Sequence, residues 1–434
     1  MKNNLQLKTV NIITLGCSKN LVDSEHLMTQ FAANGFEVMH DDNEPADIVI
    51  INTCGFILDA KEESVNMIMD YVNAKNNGDV SKLYVMGCLS ARYQAELTKE
   101  IPEVDRFFGK FDFEAIIKEL GIQKRKDLLF DRVLTTPSHF AYLKIAEGCD
   151  RTCAFCAIPQ FTGKHKSVPM ENLLIEAELL ARKGVKELLL ISQELTYYGI
   201  DLYKDRKLPE LIERLSKIEG IEWIRLHYAY PTNFPFELLD VIKNNPKVCK
   251  YLDIPLQHIS SNVLKNMRRN ISENQTRDLV KRIRQEVPEL ALRTTMLVGH
   301  PGETEEDFQL LLDFIREVKF DRLGVFPYSH EGDTYGFGAF KDEISKKVKE
   351  KRAARVMEVQ QAISEELTAK KIGTTLKVVI DRKEGEFFIG RTEFDSPEVD
   401  GEVLIKSESL NIGQFYQVKV TSSDMFDLYG DVLN

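Results

Sequence analysis

The chain is short of cysteine, with seven in 434 residues; it has a single tryptophan and fewer basic than acidic side chains, 57 against 68. Each shortage closes off a class of protein. So few thiols cannot build the disulfide framework of a small secreted domain, and their grouping argues for metal sites in a reducing compartment, the cytoplasm. A formal charge of -11 speaks against broad affinity for nucleic acid, which asks for a basic surface, and suits a basic partner. No apolar run approaches the ~20 residues that cross a bilayer, so no membrane partner is expected. Leu15-Gly16-Cys17 has the outline of a lipoprotein cleavage site, but the apolar stretch from Val10 is shorter than a signal h-region and is broken by Asn11 and Thr14. A P-loop, G-x-G-x-x-G and G-x-S-x-G are all missing, which leaves phosphoryl transfer, nicotinamide binding and serine hydrolysis without a motif.

Six of the seven cysteines fall into two sets of three. Cys149, Cys153 and Cys156 stand in Glu147-Gly148-Cys149-Asp150-Arg151-Thr152-Cys153-Ala154-Phe155-Cys156, a C-x3-C-x2-C run that offers three soft thiolates from one loop. A structural zinc site is closed by four ligands, and an iron–sulfur cluster that only passes electrons is normally held by four cysteines. Three thiolates leave one iron open to a small molecule. The alternative is a zinc knuckle completed by His165; zinc sites usually pair one C-x2-4-C couple with another, and no second couple is present. The spacing resembles that of the radical S-adenosylmethionine enzymes. The resemblance implies a [4Fe-4S] cluster that chelates S-adenosylmethionine through its amino and carboxylate groups and cleaves it with one electron. Phe155 matches the aromatic that such enzymes place next to the adenine, although an aromatic beside a cysteine is more often core packing.

The other three cysteines belong to an N-terminal domain, residues 8–124. The runs Val10–Leu15, Asp47–Asn52 and Leu83–Met86 read as buried strands of a parallel sheet with crossover helices. They end in Leu15-Gly16-Cys17, Asn52-Thr53-Cys54 and Met86-Gly87-Cys88. Each strand thus delivers a cysteine at its carboxyl end, where open α/β sheets bind ligands. Neighbouring strands lie ~5 Å apart, so Cys17, Cys54 and Cys88 can converge on a second cluster; the alternative is three buried thiols. Cys249 has no such companion and reads as core.

After a charged linker comes a domain over 135–365 with six strand-then-helix units, a partial βα barrel whose function lies at the carboxyl ends of its strands. The strands fall near Tyr142–Ala146, Glu187–Ile191, Trp223–Leu226, Tyr251–Ile254, Leu292–Val298 and Leu323–Phe326. A charged helix from Ser345 to Ala369 leads to an all-β tail, residues 368–434, with strands at Leu376–Asp381, Phe387–Thr392 and Gln417–Val420. This suits a small antiparallel β-barrel of oligonucleotide-binding type. Residues 370–434 hold eight basic and twelve acidic side chains, so the basic surface that binds phosphate backbones is lacking. The fold class is a multidomain α/β protein.

Ser192-Gln193-Glu194 ends the second barrel strand and offers Gln193 and Glu194 to the amino group or ribose of S-adenosylmethionine; a helix-capping turn is the competing reading. Gly299, in Val298-Gly299-His300-Pro301-Gly302-Glu303-Thr304, allows close backbone approach to the cofactor or simply shapes the turn. Gln257 and His258 end the fourth strand. Met267-Arg268-Arg269 is a compact basic step that could meet a carboxylate; a solvated helix end is the competing reading.

Three separated cysteines in an α/β domain, a C-x3-C-x2-C barrel and a terminal TRAM-like β-barrel together resemble the methylthiotransferases over nearly the whole chain. Gly16-Cys17-Ser18-Lys19-Asn20-Leu21-Val22-Asp23-Ser24-Glu25 and Asp395-Ser396-Pro397-Glu398-Val399-Asp400-Gly401 look like the branch that modifies a ribosomal protein; the tRNA-modifying branch is the nearest rival. The resemblance implies two [4Fe-4S] clusters, S-adenosylmethionine, and methylthiolation of the β-carbon of an aspartate in the small-subunit protein at the decoding centre. It also implies an electron-donor protein and, as a possible setting, the assembling small subunit. His300 departs from the pattern, since relatives often carry an aromatic there. The non-enzymatic alternative is an iron–sulfur or zinc RNA-binding module.

Overall fold

In the computed structural model, which describes residues 8–433, the strand Ile48–Thr53 reads Ile-Val-Ile-Ile-Asn-Thr and is buried at all six positions. That is the signature of a parallel strand covered on both faces. Around it lie β1 (Thr9–Thr14), β2 (Glu37–His40), the strand itself as β3, β4 (Lys82–Gly87) and β5 (Arg106–Phe107). They form one sheet in the order β2-β1-β3-β4-β5, with every pair parallel. Side chains alternate across it with period two. Val10, Ile12, Ile48, Ile50, Tyr84 and Met86 pack against Leu27, Met28 and Phe31 of α1 (Ser18–Ala32). Ile13, Val49, Ile51, Leu83 and Val85 face Ile68 and Val72 of α2 (Leu58–Asn77) and Leu89 and Leu97 of α3 (Cys88–Glu100).

The described residues gather into two compact units: residues 8–136 with Tyr142–Arg151 and Cys156–Leu180, and Pro137–Ala141 with Thr152–Phe155 and residues 181–433. A second sheet takes β6 (Phe140–Lys144), β9 (Glu187–Ile191), β10 (Trp223–Leu226), β11 (Val248–Asp253), β12 (Ala291–Val298) and β13 (Arg322–Pro327) in the order β13-β12-β11-β10-β9-β6. The pairs from β9 to β13 are parallel. Six strands with free edges at β6 and β13 make the open part of a barrel. Between β6 and β9, β7 (Ala146–Glu147) and β8 (Lys166–Ser167) pair antiparallel and close residues 148–165 into a loop.

A helix over Lys346–Ala369, with Ser345 at its N-cap, leads to a closed barrel of β14 (Thr375–Glu384), β15 (Phe387–Thr392), β16 (Val403–Lys406), β17 (Phe415–Ser423) and β18 (Leu428–Val432). Its order is β14-β15-β16-β18-β17, around Val378, Ile380, Phe388, Val403, Ile405, Val418, Val420 and Leu428. One pair, β16 with β18, is parallel, so the barrel is not wholly antiparallel. Among the described residues no helix is long and apolar enough to cross a membrane.

Within the second unit this small barrel docks on the strands of the open sheet. Trp223, Cys249, Tyr251 and Ala291 pack against Val379, Phe394 and Phe415, with the Trp223 and Phe415 rings edge to face at 4.8 Å. Buried ion pairs surround that seam. Glu187 is 2.7 Å from Arg225 and 2.8 Å from Arg391, and Arg391 also binds Asp381 at 2.6 Å. Charges this deep cost desolvation unless each is matched, and here the acids and guanidinia interlock.

Candidate functional site

Cys17, Cys54 and Cys88 follow β1, β3 and β4, which are adjacent in the sheet. Glycine makes the convergence possible at two of the three exits. Gly16 has φ +94°, and a Cβ there would stand 2.7 Å from Cys54 Cβ and 2.9 Å from its Sγ. Gly87 has φ +99°, and a Cβ would meet Thr53 backbone N and O at 2.6 Å. Only a residue free of side chain adopts this left-handed backbone and allows that approach. Cys17 is the N-cap residue of α1, and Cys88 opens α3. Asn20 ties the exits together: its Nδ2 donates to Leu15 O at 2.9 Å and Thr53 O at 3.1 Å. Burial pushes the Cys88 thiol up to about 12, and burial likewise raises that of Cys54.

The second cysteine set lies in the loop closed by β7 and β8. Gly148 (φ +82°) lets the backbone pass where a Cβ would be 2.1 Å from Lys164 O, and Cys149 N–H donates to Gly163 O at 3.1 Å. Arg151 N–H donates to Cys149 Sγ at 3.4 Å. Cys153 is enclosed by Arg269, whose Nη1 is 3.4 Å from its Sγ, and by the Tyr230 hydroxyl at 3.6 Å. Arg269 lies over the Tyr230 ring at 4.3 Å and donates to Pro255 O at 2.5 Å. Ala154 N–H donates to Met267 O at 2.9 Å, and Phe155 packs on Val263, Met267, Leu297 and Tyr328. Just after Cys156, Ala157, Ile158 and Phe161 pack against Cys88 and Ala91, so within the first unit the end of one cysteine run lies against a member of the other.

Gln193 and Glu194 follow the carboxyl end of β9; Glu194 is buried and accepts from the Thr196 hydroxyl at 2.9 Å. Gly299 follows β12 with φ +76°, where a Cβ would meet Lys349 Cγ at 2.3 Å; its N–H donates to Glu303, whose carboxyl burial pushes up to about 7. His165, the ring a zinc knuckle would recruit, is buried with Nε2 3.2 Å from Ser167 Oγ. Among the described residues no three His, Cys, Asp or Glu side chains are set around one point as ligands of a single metal ion. A mononuclear zinc needs that arrangement, with Zn–S bonds of about 2.3 Å; a cubane cluster, with each thiolate on its own iron, does not. Six cysteines in two sets of three are the soft donor chemistry that such clusters use.

The sequence did not flag Tyr230 or Lys110 and offered Arg269 as a carboxylate partner or part of a solvated helix end. Arg269 was visible in the Met267-Arg268-Arg269 step, but its turn toward sulfur depends on tertiary folding. The Asp395–Gly401 run, which resembles the ribosomal-protein branch, lies at the seam between the small barrel and the open sheet. Asp395 pairs with Arg322, the Ser396 hydroxyl is 3.1 Å from His227 Nε2, and Asp400 is 3.5 Å from Arg293 with its side chain 2% exposed. These residues fasten the small barrel to the open sheet.

Three stretches match known families: residues 9–109 the uncharacterized protein family UPF0004, 143–315 the radical SAM superfamily, and 372–433 the TRAM domain. The ribosomal protein uS12 methylthiotransferase RimO of Phocaeicola vulgatus is 57% identical over 432 residues, 99% of this chain and 100% of the relative. The protein of the same name from Flavobacterium johnsoniae is 53% identical over 431 residues, 98% of each chain. Among solved structures, the radical S-adenosylmethionine methyltransferase TsrM from Kitasatospora setae superposes with a TM-score of 0.53 at 13% identity, over 74% of this chain and 75% of that one, a likeness of fold.

Proposed function

This chain belongs to the radical S-adenosylmethionine methylthiotransferases of ribosomal protein uS12, and we propose that it modifies the β-carbon of a uS12 aspartate with two iron–sulfur clusters, one on Cys149, Cys153 and Cys156 and one on Cys17, Cys54 and Cys88. The chemistry demands more than acid and base: an aspartate β-C–H is too weakly acidic for a side-chain base at neutral pH, whereas general acid–base catalysis depends on matched pKa values. The bound clusters and S-adenosylmethionine supply one-electron cleavage, sulfur and a methyl group, while the protein orients them and excludes water. The single observation that carries the two-cluster reading is the delivery of Cys17, Cys54 and Cys88 by three adjacent strand ends, with Gly16 at φ +94° and Gly87 at φ +99° letting the chain turn there. Three soft donors at one edge of a sheet favour a sulfur-bearing centre.

The residues divide the work. Arg269 and Tyr230 hold the Cys153 sulfur in place. Phe155 would lie beside the adenine of a bound S-adenosylmethionine, Gln193 and Glu194 would hold its amino group or ribose, and the Gly299 turn would let the backbone approach it. The sequence boundaries at 8–124, 135–365 and 368–434 remain the proposed domains. A basic ribosomal substrate, free or in the assembling small subunit, and an electron-donor protein are the proposed partners, in the cytoplasm.

The test is anaerobic reconstitution followed by mass spectrometry of uS12 and tRNA. With four irons per cubane, the chain should hold about eight iron atoms. Replacing Cys17, Cys54 and Cys88 together by Ala should halve the iron and leave reductive cleavage of S-adenosylmethionine measurable. Unchanged iron in that variant removes the N-terminal cluster, and a methylthio group on tRNA alone moves the substrate to the rival branch.

A further inference from the structure

Behind Cys17, Cys54 and Cys88 lies a lysine that nothing above employs. The Lys110 side chain is 2% exposed, with Nζ 3.4 Å from Asp23 and 3.9 Å from Glu147. Its Nζ also donates to Asn20 Oδ1 at 3.1 Å, and that same oxygen lies 3.7 Å from Cys88 Sγ. Asn20 cannot turn its amide away without breaking its two bonds to the strand ends, to Leu15 O and Thr53 O. Lys144 binds the same two acids, Asp23 and, at 3.0 Å, Glu147, so two ammonium groups face two carboxylates here, and it is Lys110 that reaches toward Cys88 through the Asn20 oxygen. Burial opposes the ammonium, but Asp23 and the other anions outweigh it and hold Lys110 above the ordinary lysine range.

We propose that Lys110 is a positioning residue for the N-terminal cluster, a fixed cation braced through Asn20 that makes a cluster on Cys17, Cys54 and Cys88 easier to reduce. The inference rests on the two-cluster reading. A cubane carrying three thiolates is anionic, and reduction adds one more negative charge. In a pocket where water screens little, a nearby ammonium stabilises the reduced form more than the oxidised one.

The experiment uses the full chain with Cys149, Cys153 and Cys156 replaced by Ala, so that the N-terminal cluster alone is reconstituted, and follows its reduction by electron paramagnetic resonance. Lys110, Lys110→Arg and Lys110→Met are compared. The Met variant should shift the reduction equilibrium at least tenfold toward the oxidised form, 59 mV for one electron, while Arg stays near the parent. If Met loses iron and Arg keeps it, the charge is required even to hold the cluster, which also supports the proposal. Iron near four per chain with an unchanged potential in Lys110→Met overturns it, as does equal loss of iron from both variants. No iron in the background chain overturns the two-cluster reading and the inference with it.

Discussion

His300 does the work of an aromatic ring while carrying a titratable nitrogen. It is 0% exposed and meets Tyr328 edge-on at 4.9 Å and Phe340 at 5.7 Å. Burial lowers its pKa from 6.5 to about 4, and that of buried His258 to about 3. The unfolded chain therefore takes up protons near pH 6.5 that the folded chain refuses until far lower. Stability from this source is complete above pH 6.5 and is lost as pH falls toward 4. His300→Phe keeps the ring contacts and should recover on the order of 3 kcal/mol of that acid loss. The measurement is Tm against pH, and an unaltered acid limb in the variant would assign the sensitivity elsewhere. The departure from the family pattern is thus conservative in shape and new only in bringing a group that can titrate at low pH. Cys249 obeys a simpler rule: buried in the seam, it should cost about 1–2 kcal/mol as Cys249→Ala in chemical denaturation and leave iron content unchanged.

Among elements, the strand-to-helix turns at Gly16 and Gly87 are the most exacting. Alanine at either place meets backbone or Cys54 within 3 Å and must adopt a positive φ. Gly16→Ala should therefore misplace Cys17 and Cys54, halving the reconstituted iron while the Cys149 loop still loads. Full iron in that variant would show that the turn has slack. These turns were legible beforehand because three apolar runs each stopped at a cysteine, twice after glycine. The edge strands Glu37–His40 and Arg106–Phe107 were not, since they are short and mostly polar or half-exposed, and only their neighbours make them strands. Lys110 was equally silent: a lysine after glycine normally reads as solvated, and only the fold places Asp23, Glu147 and Asn20 around it.

At the scale of the molecule, charge counting pointed the acidic tail toward a basic substrate, but much of that acidity is spent internally. Asp381, Asp395 and Asp400 are all paired with arginine in or around the seam. Reversing Asp400 would consequently disturb docking, so a loss of substrate binding in such a variant would not locate the substrate. Arg391→Ala would leave buried Glu187 with Arg225 alone and Asp381 with His139 alone, a loss of up to about 3–5 kcal/mol, and should detach the small barrel before the rest melts. The seam also holds the chain's one tryptophan, Trp223, edge-on to Phe415. Nature has in effect installed a single fluorophore at the joint, so tryptophan emission reads the state of that joint while circular dichroism reads the whole chain. In Arg391→Ala the emission should shift to the red at a lower denaturant concentration than the loss of ellipticity, and coincident transitions would mean that barrel and sheet melt as one.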